Sequence, residues 1–273
     1  MAITQLPNGV GESTGDTLAT AKPLLISGDV WYVHGSTGSD AYNGRDATKP
    51  LATLGQAHTN ATSGDIIVLK DGHTETLTSL LSITKTVTIV GGGTSGGKPT
   101  VKLTNNSAAA GLLDLVTGGA AELRNIWFNA NAQTNAVARV KISSAAVKII
   151  GCYFECGATD TGPAIEMVGA NAGGLIRNTT LISTATVLTA QPESAIKLTG
   201  GTGMSWLTLD GVVVDGGTVG WSNFYAVDLS AALNIVLRVE SMSLLRGSDM
   251  KVHTSTTGHI HVATTTGGSR VNW

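Results

Sequence analysis

One motif recurs along most of this chain, and its period leaves few folds open. An apolar–charged–apolar triplet appears as Leu113-Asp114-Leu115, Val140-Lys141-Ile142, Ile165-Glu166-Met167, Ile196-Lys197-Leu198, Val227-Asp228-Leu229 and Met250-Lys251-Val252, at intervals of 23 to 31 residues. Such a triplet is a short strand with two side chains turned inward and one outward. A unit of this length that repeats cannot bury its apolar face alone, so neighbouring copies must stack.

A second series runs between the first: Leu123-Arg124-Asn125-Ile126-Trp127-Phe128, Ile149-Ile150-Gly151-Cys152-Tyr153-Phe154, Ile176-Arg177-Asn178-Thr179-Thr180-Leu181, Leu209-Asp210-Gly211-Val212-Val213-Val214 and Val239-Glu240-Ser241-Met242-Ser243-Leu244. Its centre is Gly, Asn or Ser. Gly and Asn accept the left-handed backbone conformation at low cost, so this centre reads as a sharp bend between two strands. Ile89-Val90-Gly91 reads as an earlier copy, while Val101-Lys102-Leu103 fits neither series. Two series sharing one varying period describe one coil of a parallel β-helix. The handedness rule for parallel crossovers makes it right-handed. The expected fold is therefore all-β, a single-stranded right-handed parallel β-helix. Residues 1–30 form an extended arm, 31–255 the solenoid with its N-terminal cap, and 256–273 a last strand and tail.

Stacking gives the charges a meaning. The outward residue of the triplet reads Asp114, Lys141, Glu166, Lys197, Asp228, Lys251, alternating in sign at every coil. On strands about 4.8 Å apart, each charge would lie between two of opposite sign. Exposed pairs add little stability singly; their use is to penalise a slipped register. By the same alternation, Phe128, Phe154, Leu181, Val214 and Leu244 form one inward line, and Trp127, Tyr153, Thr180, Val213 and Ser243 one outward line.

Composition narrows the partners. The 273 residues carry 17 Lys and Arg against 19 Asp and Glu, with no basic cluster, which argues against a partner held by phosphate neutralisation. Charged residues are only 13% of the chain, a surface that suits cover by neighbours rather than water. No apolar run approaches membrane-spanning length, and the first residues lack a basic stretch followed by an apolar one, so no secretory signal is read. Cys152 and Cys156, in Cys-Tyr-Phe-Glu-Cys, read as two reduced thiols.

The stretch from Trp31 to Thr76 carries further information: Gly38-Ser39-Asp40, Asn43-Gly44, Lys49-Pro50-Leu51-Ala52-Thr53-Leu54, Gly64-Asp65-Ile66-Ile67-Val68-Leu69 and Asp71-Gly72-His73. It resembles the opening of the pectin-lyase-like right-handed β-helix proteins, a group that includes many phage tailspikes and other virion proteins. The resemblance implies a short capping helix within Pro50–Asn60, followed by the first solenoid strand. Leu6-Pro7-Asn8-Gly9 is similar to the starts of phage structural proteins.

Catalysis would need grouped carboxylates. Asp160, Asp210 and Asp215 are the candidates, but Asp210 is placed to pair with Arg177 one coil away and Asp215 to serve a turn beside Gly216-Gly217. No catalytic residue and no cofactor is expected. His259-Ile260-His261 puts two imidazoles on one face. The resemblance to trimeric phage spikes implies an axial iron for such a motif, whereas the register puts His261 under Glu240, where an ordinary His–Glu contact suffices, so no metal is assigned. His34, His58 and His73 read as structural. The outward pair Trp127 and Tyr153, with Val213 on the same line, fits a subunit interface better than a sugar platform. Leu6 and Pro7 of the arm would add to that interface. A solenoid of six or seven coils would stand only about 30 Å tall. The expected function is a trimeric head decoration (cement) protein of a phage virion. It would be assembled in the host cytoplasm and held by the major capsid protein or neighbouring virion proteins, without nucleic acid or membrane. The alternative is a tailspike that binds or cleaves a host surface polysaccharide.

Overall fold

The structure is a computed structural model. It describes residues 28–105, 111–116, 121–129, 137–143, 146–157, 162–169, 172–184, 194–200, 205–217, 225–231, 235–245 and 249–251. The strands fall into three parallel sheets of eight, seven and seven members, and from Ile66–Leu69 onward the chain visits each sheet in turn. Beside them lie one small antiparallel hairpin and an isolated parallel bridge between Val33 and Leu51. This is a parallel β-solenoid.

The first sheet holds Val30–Val33, Ile66–Leu69, Thr88–Gly91, Glu122–Arg124, Val147–Ile150, Gly173–Arg177, Ser205–Asp210 and Ile235–Val239. The second runs from Thr74–Leu77 and Lys102–Asn105 through Trp127–Asn129, Tyr153–Cys156, Thr180–Ser183 and Val212–Asp215 to Met242–Leu245. The third begins at Leu81–Ile83 and ends at Asp249–Lys251. Leu81-Ser82-Ile83 is a copy of the triplet whose outward residue is uncharged, and it pairs with Leu113-Asp114-Leu115. Val101-Lys102-Leu103 belongs to the second sheet, where Lys102 lies beside Trp127 and Leu103 beside Phe128. That placement explains why it fits no spacing of the triplets.

Bends between the first and second sheets fall at the central residues of the second series. Asn125, Gly151, Asn178 and Gly211 all have positive φ, between 48° and 63°. Ser241 does not share it. Gly91 stays in its strand, because the chain there runs on into the hairpin before reaching the second sheet. A side chain at Gly91 would strike the Asn125 carbonyl of the next coil.

Inside, residues stack by kind. Phe128, Phe154, Leu181 and Val214 are buried register neighbours in one file, and Leu244, expected inward with them, continues the file but is exposed at its end. The two phenyl rings lie 4.7 Å apart at 19°, so the strand spacing sets an aromatic stack. Leu123, Ile149, Ile176, Leu209 and Val239 form a second file.

At the N-terminal end this core is closed. The helix Leu54–Asn60 buries Leu54, Ala57 and His58, and Thr53 caps it by accepting the Gln56 N–H. Asp40 fixes the approach, accepting from Ala52 N, Thr53 N and Thr53 Oγ1. Asp65 ties the first strand to the second, accepting from Asp29 N, Trp31 Nε1 and Thr62 N. Burial opposes its ionisation, yet these donors hold its carboxyl below the usual range. Of the arm expected at 1–30, residues 1–27 lie outside the described residues, as does all of the tail expected at 256–273.

Candidate functional site

The outer face of the second sheet gathers the most chemistry. One file there reads Thr74, Lys102, Trp127, Tyr153, Thr180, Val213 and Ser243. The next outward file sets Asn129, Glu155, Ile182 and Asp215 side by side. Strand alternation dictates both files, since the residues between them point into the core.

The hairpin Thr94–Ser95/Lys98–Pro99 modifies this face. Its turn residues Gly96 and Gly97 both have positive φ, as a tight two-residue hairpin turn requires. Thr100 Oγ1 donates to Asp71 and lies 3.0 Å from the Gly92 carbonyl, and Asn125 Nδ2 donates to the carbonyls of Gly91 and Gly93. Thus anchored, the hairpin lays Lys98 across two coils. Its Nζ stands 3.3 Å from the Trp127 ring centroid, 4.4 Å from that of Tyr153 and 2.6 Å from Glu155 Oε2. Lys102 Nζ approaches the Trp127 ring at 4.7 Å. An ammonium between two ring faces and a carboxylate is held by cation–π attraction and an ion pair together. Burial, then the charges of Glu155 and Asp215, push the Tyr153 phenol above its ordinary pKa. The Trp127 Nε1–H is buried without a hydrogen-bond partner among the described residues.

The outward pair that the sequence offered to a subunit interface is already partly covered. Trp127 and Tyr153 are half-buried, and their ring faces are occupied by two lysines of the same chain. Lys98 escaped notice because it sits on an insertion outside the repeat. Its signal was Ser95-Gly96-Gly97-Lys98, a hairpin turn between two β-rich stretches. Val213 is half-buried on the same file, between Thr180 and Ser243.

The triplet charges line up on the third sheet. Asp114 pairs with Lys141, Lys141 with Glu166, Glu166 with Lys197, Lys197 with Asp228 and Asp228 with Lys251 in backbone register. Lys141 Nζ is 4.0 Å from Asp114 Oδ2, Ser143 donates to Asp114 Oδ1, and Thr199 donates to Glu166 Oε1. The file departs from a uniformly exposed one, because Asp114 and Asp228 are buried. An aspartate is short, so its carboxylate stays close to the sheet.

The first sheet pairs its charges as well. Arg177 Nε is 2.7 Å from Asp210 Oδ2, Lys148 lies 3.9 Å from Glu122, Arg124 bonds Glu122, and Arg238 is 2.8 Å from Glu240. Asp215 is buried and accepts the Gly217 N–H. Asp210 and Asp215 are thus each engaged within the chain. Asp160, Leu6, Pro7, His259 and His261 lie outside the described residues.

Both cysteines are buried and unpaired with each other. Desolvation pushes the Cys152 thiol up to about 12. His73 accepts the Gly35 N–H at Nδ1, which leaves Nε2 to donate to Glu75 at 3.2 Å, and Glu75 also accepts Leu54 N. His34 bonds Thr37 and the Asp71 carbonyl within the cap. No group of three or more metal-ligating side chains occurs among the described residues. Two exposed aromatics were overlooked, Tyr42 and Trp206. Trp206 is 41% exposed and lies over Gly173, its register neighbour, where any side chain would collide with the indole. The alternation Ser205-Trp206-Leu207-Thr208-Leu209 already placed it outward.

No family model matches the sequence, and neither does any curated protein. Among solved structures, a pectate lyase aligns with a TM-score of 0.37 at 12% identity, covering 89% of this chain and 78% of its own. A lacto-N-biosidase of glycoside hydrolase family 136 from Eubacterium ramulus aligns with a TM-score of 0.27 at 11% identity, covering 86% of this chain and 68% of its own.

Proposed function

We propose that this chain is a structural protein of a phage virion, a trimeric head decoration protein that reinforces the shell. The observation that supports this reading best is how the outer faces spend their charge. Successive coils set opposite charges beside one another on the third sheet, and the first sheet pairs Arg177 with Asp210 and Lys148 with Glu122. Both carboxylates proposed for catalysis that lie among the described residues are taken up by in-chain partners. Such a surface resists slippage and offers neighbours a nearly neutral wall, which suits a rigid spacer between subunits.

In this reading the second sheet, with Val213 and the lysine-covered ring pair, faces another subunit, and the arm at residues 1–30, including Leu6 and Pro7, grips a neighbour or the capsid. The test is twofold. Purified protein is expected to sediment as a trimer, and to bind shells lacking it, with binding lost when residues 1–25 are deleted. Undiminished shell binding by the deleted chain would overturn the role of the arm. Cleavage of host surface polysaccharide by the intact chain would favour the tailspike alternative instead.

A further inference from the structure

The Lys98 ammonium and the walls around it come from different parts of the fold. Trp127 and Tyr153 are register neighbours on consecutive coils, and Glu155 follows Tyr153 by two residues on the same strand, so all three project from one sheet face. The lysine rides instead on the hairpin Thr94–Ser95/Lys98–Pro99, whose strands pair with each other and, among the described residues, with no strand of the three sheets. Its turn residues Gly96 and Gly97 stand in open space, and Thr100 N closes its base onto the Gly93 carbonyl. A lysine carries its charge on a flexible four-carbon stem, so Lys98 can swing away from the rings without breaking a solenoid strand pair. The ion pair is not sealed either. The Lys98 side chain is 28% exposed and that of Glu155 24%, which leaves the place between the rings a mouth on solvent.

We propose that Trp127, Tyr153 and Glu155 form a binding cage for a protonated primary amine, and that Lys98 is its internal plug. The two ring faces attract a cation through their quadrupoles. Glu155 takes a charge-assisted N–H hydrogen bond, made at 2.6 Å by Lys98, and a primary ammonium can supply that bond where a quaternary one cannot. Besides burial, the charges of Glu155 and Asp215 act on the Tyr153 phenol, so the surroundings favour a positive guest. Lys102, 4.7 Å from the Trp127 ring centroid, shows that the same ring draws a second cation. An outside amine and Lys98 compete for one place. A tethered competitor acts at an effective concentration on the order of millimolar, so the cage admits an amine that is abundant or that a neighbouring chain holds close. A free amine and a lysine of another protein share this chemistry. The inference does not depend on the virion role.

Titrating the isotope-labelled full chain with n-butylammonium chloride at constant ionic strength tests this through the Trp127 indole N–H resonance, assigned by its loss in W127F. In K98A that resonance is expected to shift and saturate, with a dissociation constant roughly tenfold or more below the parent's, because the plug is gone. Should K98A fail to fold, the parent is expected to show the same shift at roughly tenfold higher amine. Adding E155Q to either background should weaken binding about tenfold, and tetramethylammonium should bind less tightly than n-butylammonium. Tighter binding of N-acetyl-lysine methylamide than of n-butylammonium would assign the guest to a protein lysine, and binding no tighter would assign it to a free amine. Equal affinity in the parent and K98A, no saturable shift in either, or binding undiminished by E155Q would overturn the cage. Tetramethylammonium bound as tightly as n-butylammonium would overturn the choice of a primary amine.

Discussion

A ring that faces outward from a β-helix can be solvated, covered by a partner or covered by its own chain, and at Trp127 the third holds. Lys98 fills the ring face, while the indole N–H is buried without a partner among the described residues. Trp127→Phe keeps a ring for Lys98 and removes the unpaired donor, so its stability should match or slightly exceed the parent's. Trp127→Ala should cost about 2–3 kcal/mol through lost packing and lost cation–π attraction. Urea midpoints of the two variants decide it, and a Phe variant as damaged as the Ala one would refute the geometry. Asn178 makes the complementary case in the backbone. Its φ of 48° suits Gly or Asn, so Asn178→Ala should cost about 1–2 kcal/mol and Asn178→Gly appreciably less, by the same measurement. Four of the bends were legible in the sequence because Gly and Asn answer one backbone demand, whereas Ser241 does not adopt it. The occupant of the ring face was not, since Lys98 reaches Trp127 through space from an insertion that follows no period.

The capping helix shows what an element adds. His58, on its inner side, accepts the Thr84 N–H at Nε2, and Lys85 Nζ donates to the carbonyls of His58 and Thr59. Burial, then the Lys85 charge, hold the imidazole below its ordinary 6.5. A lowered pKa in the fold means that the unfolded chain takes up the proton first as pH falls. The stabilisation is therefore complete above about pH 6.5 and is lost as pH drops below it toward the folded value. Between about pH 7.5 and about pH 5.5, the parent should lose more stability than His58→Gln, whose amide oxygen can still accept from Thr84. Equal losses would remove His58 as the cause. That Pro50–Asn60 would hold a short helix followed from resemblance to a family's opening. That His58 docks it onto Thr84 and Lys85 did not, because the contact joins segments 26 residues apart that no repeat relates.

For the molecule as a whole, the repeat alone carried the architecture, since a period of about thirty residues with two strand series admits little but a solenoid. Buried thiols follow from the same stacking. Cys152 lies inside the coil with its thiol pushed up to about 12, so neither it nor buried Cys156 should react with a thiol reagent in the folded protein, and both should react in denaturant. What the repeat could not show is which outward groups lie deep, as Asp114 and Asp228 do, because depth depends on the reach of neighbours on the next coil.

Zero-length carbodiimide coupling, read by peptide mass spectrometry, tests the stacking most directly. Lys141 is flanked in register by Asp114 and Glu166, and Lys98 rests on Glu155. The expected products are amides joining Lys141 to Asp114 or Glu166, and Lys98 to Glu155. Coupling of Lys141 only to acids from non-adjacent coils, with neither of these pairs found, would mean that the turns of chain do not lie on one another as described.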